Sequence, residues 1–147
     1  MHYNSAEHFL RTQADAITAR LAEGQAAAGG HYARLTPEAR QATAAADAHQ
    51  FIAALLAAYL APDVVQAGAR AAGDAGVPID ALLRMTDETQ PRLLAFITAE
   101  LADQPELGAD LVRRVRQVNA RFRSNVTAVK LEQAIARLRP APRASRP

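Results

Sequence analysis

Between Pro105 and Leu138 the chain carries one glycine, Gly108, and no second proline, while apolar residues return every three or four positions. Leu107, Leu111, Val115, Val118, Phe122, Val126 and Val129 keep a 4-4-3-4-4-3 spacing, and Ile135 and Leu138 extend it. That is the period of one amphipathic helix with a single apolar stripe. At about 1.5 Å per residue it would run roughly 50 Å, more than the diameter of a domain of ~150 residues. A helix that overshoots its own domain needs a second surface for its far end. The stripe formed by Leu111, Val115, Val118, Phe122, Val126 and Val129 is therefore expected to serve as a dimer seam or relay.

The rest of the composition agrees with helices packed closely on one another. Half of the 147 residues are hydrophobic and 22% are charged, in the range of a globular domain, and alanine supplies much of the apolar count while aromatics reach only 5%. All-α is the fold class that follows. The absence of cysteine excludes disulfides, thiolate metal sites and cysteine nucleophiles, and is compatible with a reducing cytoplasm. The first residues show no basic stretch leading into an apolar one, and no run approaches the ~18 apolar residues of a membrane span. A cytoplasmic chain without membrane contact is expected.

The charge is unevenly placed. Residues 1 to 112 hold 7 basic and 14 acidic side chains, and residues 113 to 147 hold 10 basic against Glu132 alone. An anionic partner is one reading of the cationic final helix. The other is that its arginines cover apolar surface and meet acidic side chains of the body. The cluster Arg113, Arg114, Arg116, Arg121 and Arg123 has no interleaved exposed aromatics and no helix-turn-helix signature, so nucleic acid is the weaker expectation.

Taken in order, Asn4-Ser5-Ala6-Glu7 offers a cap with a glutamate three places on, and a first helix carrying Phe9, Leu10, Ala14, Ile17 and Leu21 should end at Gly29-Gly30. Thr36-Pro37-Glu38 opens a second helix, expected to reach about Ala61. Pro62-Asp63 opens a third, to about Ala75, before the turn Gly76-Val77-Pro78. Within the fourth, Pro91 predicts a kink or break between Asp87 and Pro91. From Arg139 to Pro147 the chain is basic and proline-rich and predicts a disordered tail, leaving 1–138 as the domain.

Nothing in the sequence names a catalytic set: GxSxG, phosphate-cradling glycine loops and HExxH are all missing, so the chain reads as non-enzymatic. His2, His8, His31 and His49 have no pair at the i, i+3 or i+4 spacing of a helical metal site, and no metal is expected. His49, beside Phe51 and Ile52, either faces an internal cavity or is half exposed. His31 and Tyr32 form either a pocket rim or a loop anchored by its tyrosine. Asp87 and Glu88 point about 100° apart on a helix and read as solvated.

The order of elements also resembles the N-terminal sensor domain of RsbR-type stressosome proteins, a non-haem globin-like fold related to globin-coupled sensors. The resemblance rests on Phe9-Leu10, on Tyr32-Ala-Arg-Leu-Thr36, on Ala72-Gly-Asp-Ala-Gly-Val-Pro78 followed by Ile79 and Leu82-Leu83, and on Val129-Lys-Leu-Glu-Gln-Ala-Ile135 in the extended final helix. It spans almost the whole chain. It implies a globin-like domain whose last helix runs toward a STAS-type output partner. Haem-binding relatives place the iron-ligating histidine where this register puts Ala72, so haem is not expected. Pro91 departs from the family pattern. No STAS domain follows within these residues, which leaves a fragment or another output as alternatives.

Two functions are expected from this. The first is a homodimeric sensory and signalling domain that relays through its long helix, in stress-response regulation. The second, implied by the resemblance, is binding of a fatty-acid-like apolar ligand in a pocket among Phe51, Leu55, Tyr59, Leu83 and Phe96.

Overall fold

The computed structural model describes residues 1–57 and 59–139, and these are all-helical with no strand. Six α-helices follow in order: α1 Ala6–Thr12, α2 Ala14–Ala28, α3 Pro37–Ala57, α4 Pro62–Asp74, α5 Ile79–Glu100 and α6 Pro105–Leu138, with one 3-10 turn at Tyr32–Arg34 between α2 and α3. The expected tail lies, from residue 140 on, outside the described residues.

The first expected helix comes as two. Gln13, at φ −100° and ψ 17°, interrupts it, and its side-chain amide donates to the Tyr3 hydroxyl at 2.6 Å. The break turns α1 so that Phe9 and Leu10, both fully buried, enter the core that receives Ile17 and Leu21 from α2. Tyr3 is tied to the start of α6, where its amide donates to Gln104 Oε1 at 2.9 Å and its carbonyl accepts from Gln104 Nε2 at 2.8 Å. The cap is also not the expected one. Ser5 Oγ accepts from the His8 amide at 3.1 Å, and His8 Nδ1 accepts from the Asn4 amide at 3.0 Å, while Glu7 turns outward to Arg11.

Other boundaries fall where local chemistry puts them. Gly29 and Gly30 end α2 with φ of 67° and 57°. Thr36 Oγ1 caps α3 by accepting from Ala39 N at 3.1 Å. That helix closes at Ala57, short of the expected Ala61, with Tyr59 N bonded back to Ala54 O at 3.2 Å. Pro91 does not break α5, which is continuous from Ile79 to Glu100. Asp87 and Pro91 are both exposed, so the amide that proline lacks leaves a carbonyl that water can reach.

Most of the core is one cluster, in which Phe9, Leu10, Ile17, Leu21, Leu55, Leu93 and Ile97 meet Leu111, Val115 and Val118 of the first half of α6. A second cluster covers the other half: Val126 and Val129 pack with Val65 and Ala69 of α4 and Ile79 of α5. The α6 stripe is thus buried inside its own chain, with Leu111, Val115, Val118, Val126 and Val129 at most 3% exposed. Of the two roles expected for the stripe, dimer seam or relay, this burial leaves those five residues no open surface for a seam, because α4 folds over the part that overshoots the main core. Only the last turns remain uncovered, at Leu131, Ile135 and Leu138.

One glycine sets a helix spacing. A Cβ added at Gly24 would stand 2.0 Å from Thr89 Oγ1 and 2.9 Å from Thr89 Cα, so α2 and α5 approach as closely as they do because residue 24 has no side chain.

Candidate functional site

Where α3, α4, α5 and α6 converge beside Leu21 of α2, the helices leave a cavity of about 250 Å³. Helix α3 supplies Asp47, Gln50, Phe51 and Ala54, and α6 supplies Val118, Asn119 and Phe122. Leu82, Met85, Thr86, Thr89 and Leu93 come from α5. The face that α4 presents is mostly small, with Gly68, Ala69 and Ala72 beside Val64 and Val65. This is why the space stays open: no large side chain on α4 reaches in to fill it.

Four of the lining side chains are polar residues standing in apolar helix registers. Asp47 sits between Ala44 and Phe51 on α3; Thr86 and Thr89 stand between Leu82 and Leu93 on α5; Asn119 lies between Val115 and Phe122 on α6. Thr86 Oγ1 donates to the Leu82 carbonyl at 3.0 Å, and Asn119 Nδ2 donates to Gln90 Oε1 at 2.9 Å. Thr89 Oγ1 is buried without a hydrogen-bond partner.

Asp47 is the charged member of this set. Its Oδ2 accepts from Nε2 of the fully buried Gln25 at 3.3 Å, and Gln25 Oε1 has no partner. Burial pushes the Asp47 carboxyl up to about 6, and the Gln25 hydrogen bond offsets only part of that. Nearby, burial pushes the phenol of Tyr32 up to about 12, with the negative charge of Asp47 adding to the effect. Tyr32 anchors the loop after α2, with His31 edge-on to its ring at 5.4 Å.

Of the five residues expected to form a pocket, Phe51 alone lines this one. Leu55 is in the main core, and its carbonyl accepts from Arg114 Nη1. Tyr59 is on the surface with the Arg121 guanidinium 5.9 Å from its ring centre, and Leu83 packs in the second cluster. Phe96 lies 6.2 Å from the Phe9 ring under Arg20. The five therefore do not form one site. Phe122, expected on the dimer or relay stripe, borders the cavity, as does Ala72, while His49 is exposed on another face of α3. Sequence reading passed over Asp47, Gln25, Thr86, Thr89 and Asn119. The signal available was a polar side chain at a core position of four separate helices.

Much of the basic charge of α6 is met within the chain. Arg123 pairs with Asp87 at 2.7 Å, Lys130 with Asp80 at 2.6 Å, and Arg113 and Arg114 with Asp110. Arg123 and Lys130 thus meet acidic side chains of α5, while Arg113 and Arg114 pair within α6 itself. Among the described residues no three His, Cys, Asp or Glu are grouped so as to hold a metal, and no helix is long and apolar enough to cross a membrane.

Compared with family models, curated proteins and solved structures, the chain has no match.

Proposed function

We propose that this chain is a haem-free, globin-like sensory domain of the cytoplasm, without enzymatic activity, that binds a small ligand with an apolar body in the cavity and relays its presence along α6. The observation that carries the reading is the position of α4. Val65 and Ala69 line the cavity and also belong to the cluster that holds Val126 and Val129. The same helix reaches α6 through Arg70, paired with Glu132 at 3.1 Å, and through Gln66, bonded to Asn125. A ligand that fills the space beneath α4 changes how that helix seats on the distal half of α6. Apolar lining with a few convergent polar groups is the general character of small-molecule sites.

On this reading the output contact, with a twin chain in a homodimer or with a STAS-type signalling partner, falls on the exposed ridge Leu131, Ile135 and Leu138, since Leu111 to Val129 are used internally. Stress-response regulation is the setting that the resemblance to RsbR-type sensor domains suggests.

The test is a thermal-shift titration with benzene and hexan-1-ol, followed by hydrogen exchange. A saturable rise in melting temperature, lost in Ala72→Leu, with added protection in α4 and in residues 120–134, is expected. No shift of the parent protein with either of these probes or with n-hexylammonium would remove the ligand-binding reading; a shift without protection at 120–134 would remove the relay.

A further inference from the structure

The cavity has a polarity of its own. Among the described residues that line it, Asp47 is the single charged side chain, and no lysine, arginine or histidine is present. An ionised carboxylate offers about four acceptor positions, and the hydrogen bond it takes from Gln25 Nε2 is long, at 3.3 Å. Gln25 itself is fully buried and is not part of the lining, so Asp47 is the charged acceptor that the cavity presents. Its spare acceptor positions suit a hydrogen-bond donor. A ligand carboxylate would instead meet Asp47 with no cation on the lining to hold it, which argues against the fatty-acid-like ligand of the sequence reading.

Resting on the cavity being a ligand site, we propose that its occupant is a small organic cation, an ammonium group on a short alkyl or aryl body, whose N–H donors bind Asp47 while the body lies against Phe51, Val65, Met85 and Leu93. The dimensions suit such a molecule: a cavity of roughly 150 Å³ suffices for benzene, and this one measures about 250 Å³. The small face of α4 at Gly68, Ala69 and Ala72 admits a chain or a flat ring without displacement of large side chains. An ammonium group supplies positive charge and donors together, and charge-assisted hydrogen bonds are about twice as strong as neutral ones.

Three probes with one body separate the possibilities: n-hexylammonium, hexan-1-ol and hexanoate, titrated by calorimetry at pH 7.5 into the full chain, into Asp47→Asn and into Ala72→Leu, with circular dichroism confirming that both variants are folded. Hexylammonium is expected to bind about tenfold or more tighter than hexanol, with hexanoate weakest. Asp47→Asn should erase the advantage of the ammonium and keep hexanol binding, and Ala72→Leu should weaken all three. If hexanol binds and hexylammonium is no tighter, or if its preference survives Asp47→Asn, the cation assignment is overturned while the cavity remains a ligand site. If none of the three binds the parent chain, the ligand-site reading falls and the cation assignment with it.

Discussion

Replacing Asp47 with asparagine should stabilise the protein at neutral pH and leave it nearly unchanged in acid. The carboxyl titrates at about 6 in the fold against 3.8 for an unburied aspartate. Between those values the folded state binds more protons than the unfolded chain, so stability falls as pH rises through this window. At about 1.4 kcal/mol for each pH unit of separation, the ionised carboxylate costs up to about 3 kcal/mol above pH 6, a ceiling because Asp47 keeps some exposure. The amide is nearly isosteric, can still accept from Gln25, and carries no charge to desolvate. For a chain of this size ~1 kcal/mol moves the melting temperature by roughly 2–4 °C, so a gain of up to about 10 °C at pH 7.5, shrinking toward zero near pH 4, is expected. Melts of both proteins across pH 4–8 isolate this group, because every other carboxylate is common to the two. A variant less stable than the parent at pH 7.5, or a difference that does not change with pH, would show that burial is not what perturbs Asp47. A charge kept at such a cost is consistent with a binding role, since function and stability often compete at one residue.

Gly24→Ala should lower stability by about 1–3 kcal/mol, because its methyl meets Thr89 Oγ1 at 2.0 Å and Thr89 Cα at 2.9 Å. A denaturant series reads this directly, and an unchanged midpoint would refute the close α2–α5 approach. Phe9→Ala, at a fully buried site, should cost ~3–5 kcal/mol; a loss under ~1 kcal/mol would place α1 outside the core. Phe122→Ala should cost less, as the ring is half buried, and should let the cavity take a bulkier probe such as naphthalene, which calorimetry can measure. Serine at Leu131, Ile135 and Leu138 should leave the melt of a dilute sample unchanged and lower only the mass seen by light scattering at micromolar concentration, since all three are exposed. A parent chain already monomeric there would reject the homodimer.

What the sequence determined by itself is local. The period of 3.6 marks α6 over its full length, and Thr36-Pro37, Gly29-Gly30, Pro62 and Gly76-Val77-Pro78 place helix ends through chemistry that acts within a turn or two. The all-α class follows from the same signals. Tertiary structure decided what each apolar stripe faces. Periodicity states that Leu111 to Val129 are buried but not against what, and the answer, α4 folded over the distal half, depends on a helix some 60 residues earlier in the chain. Phe51 and Leu55 share one stripe of α3 at i and i+4, yet one borders the cavity and the other fills the core. The cavity itself is set by what is missing: small side chains on α4 leave space only because α3, α5 and α6 stand around them. A stripe can be read from one segment, whereas a void among four helices exists only once they are packed.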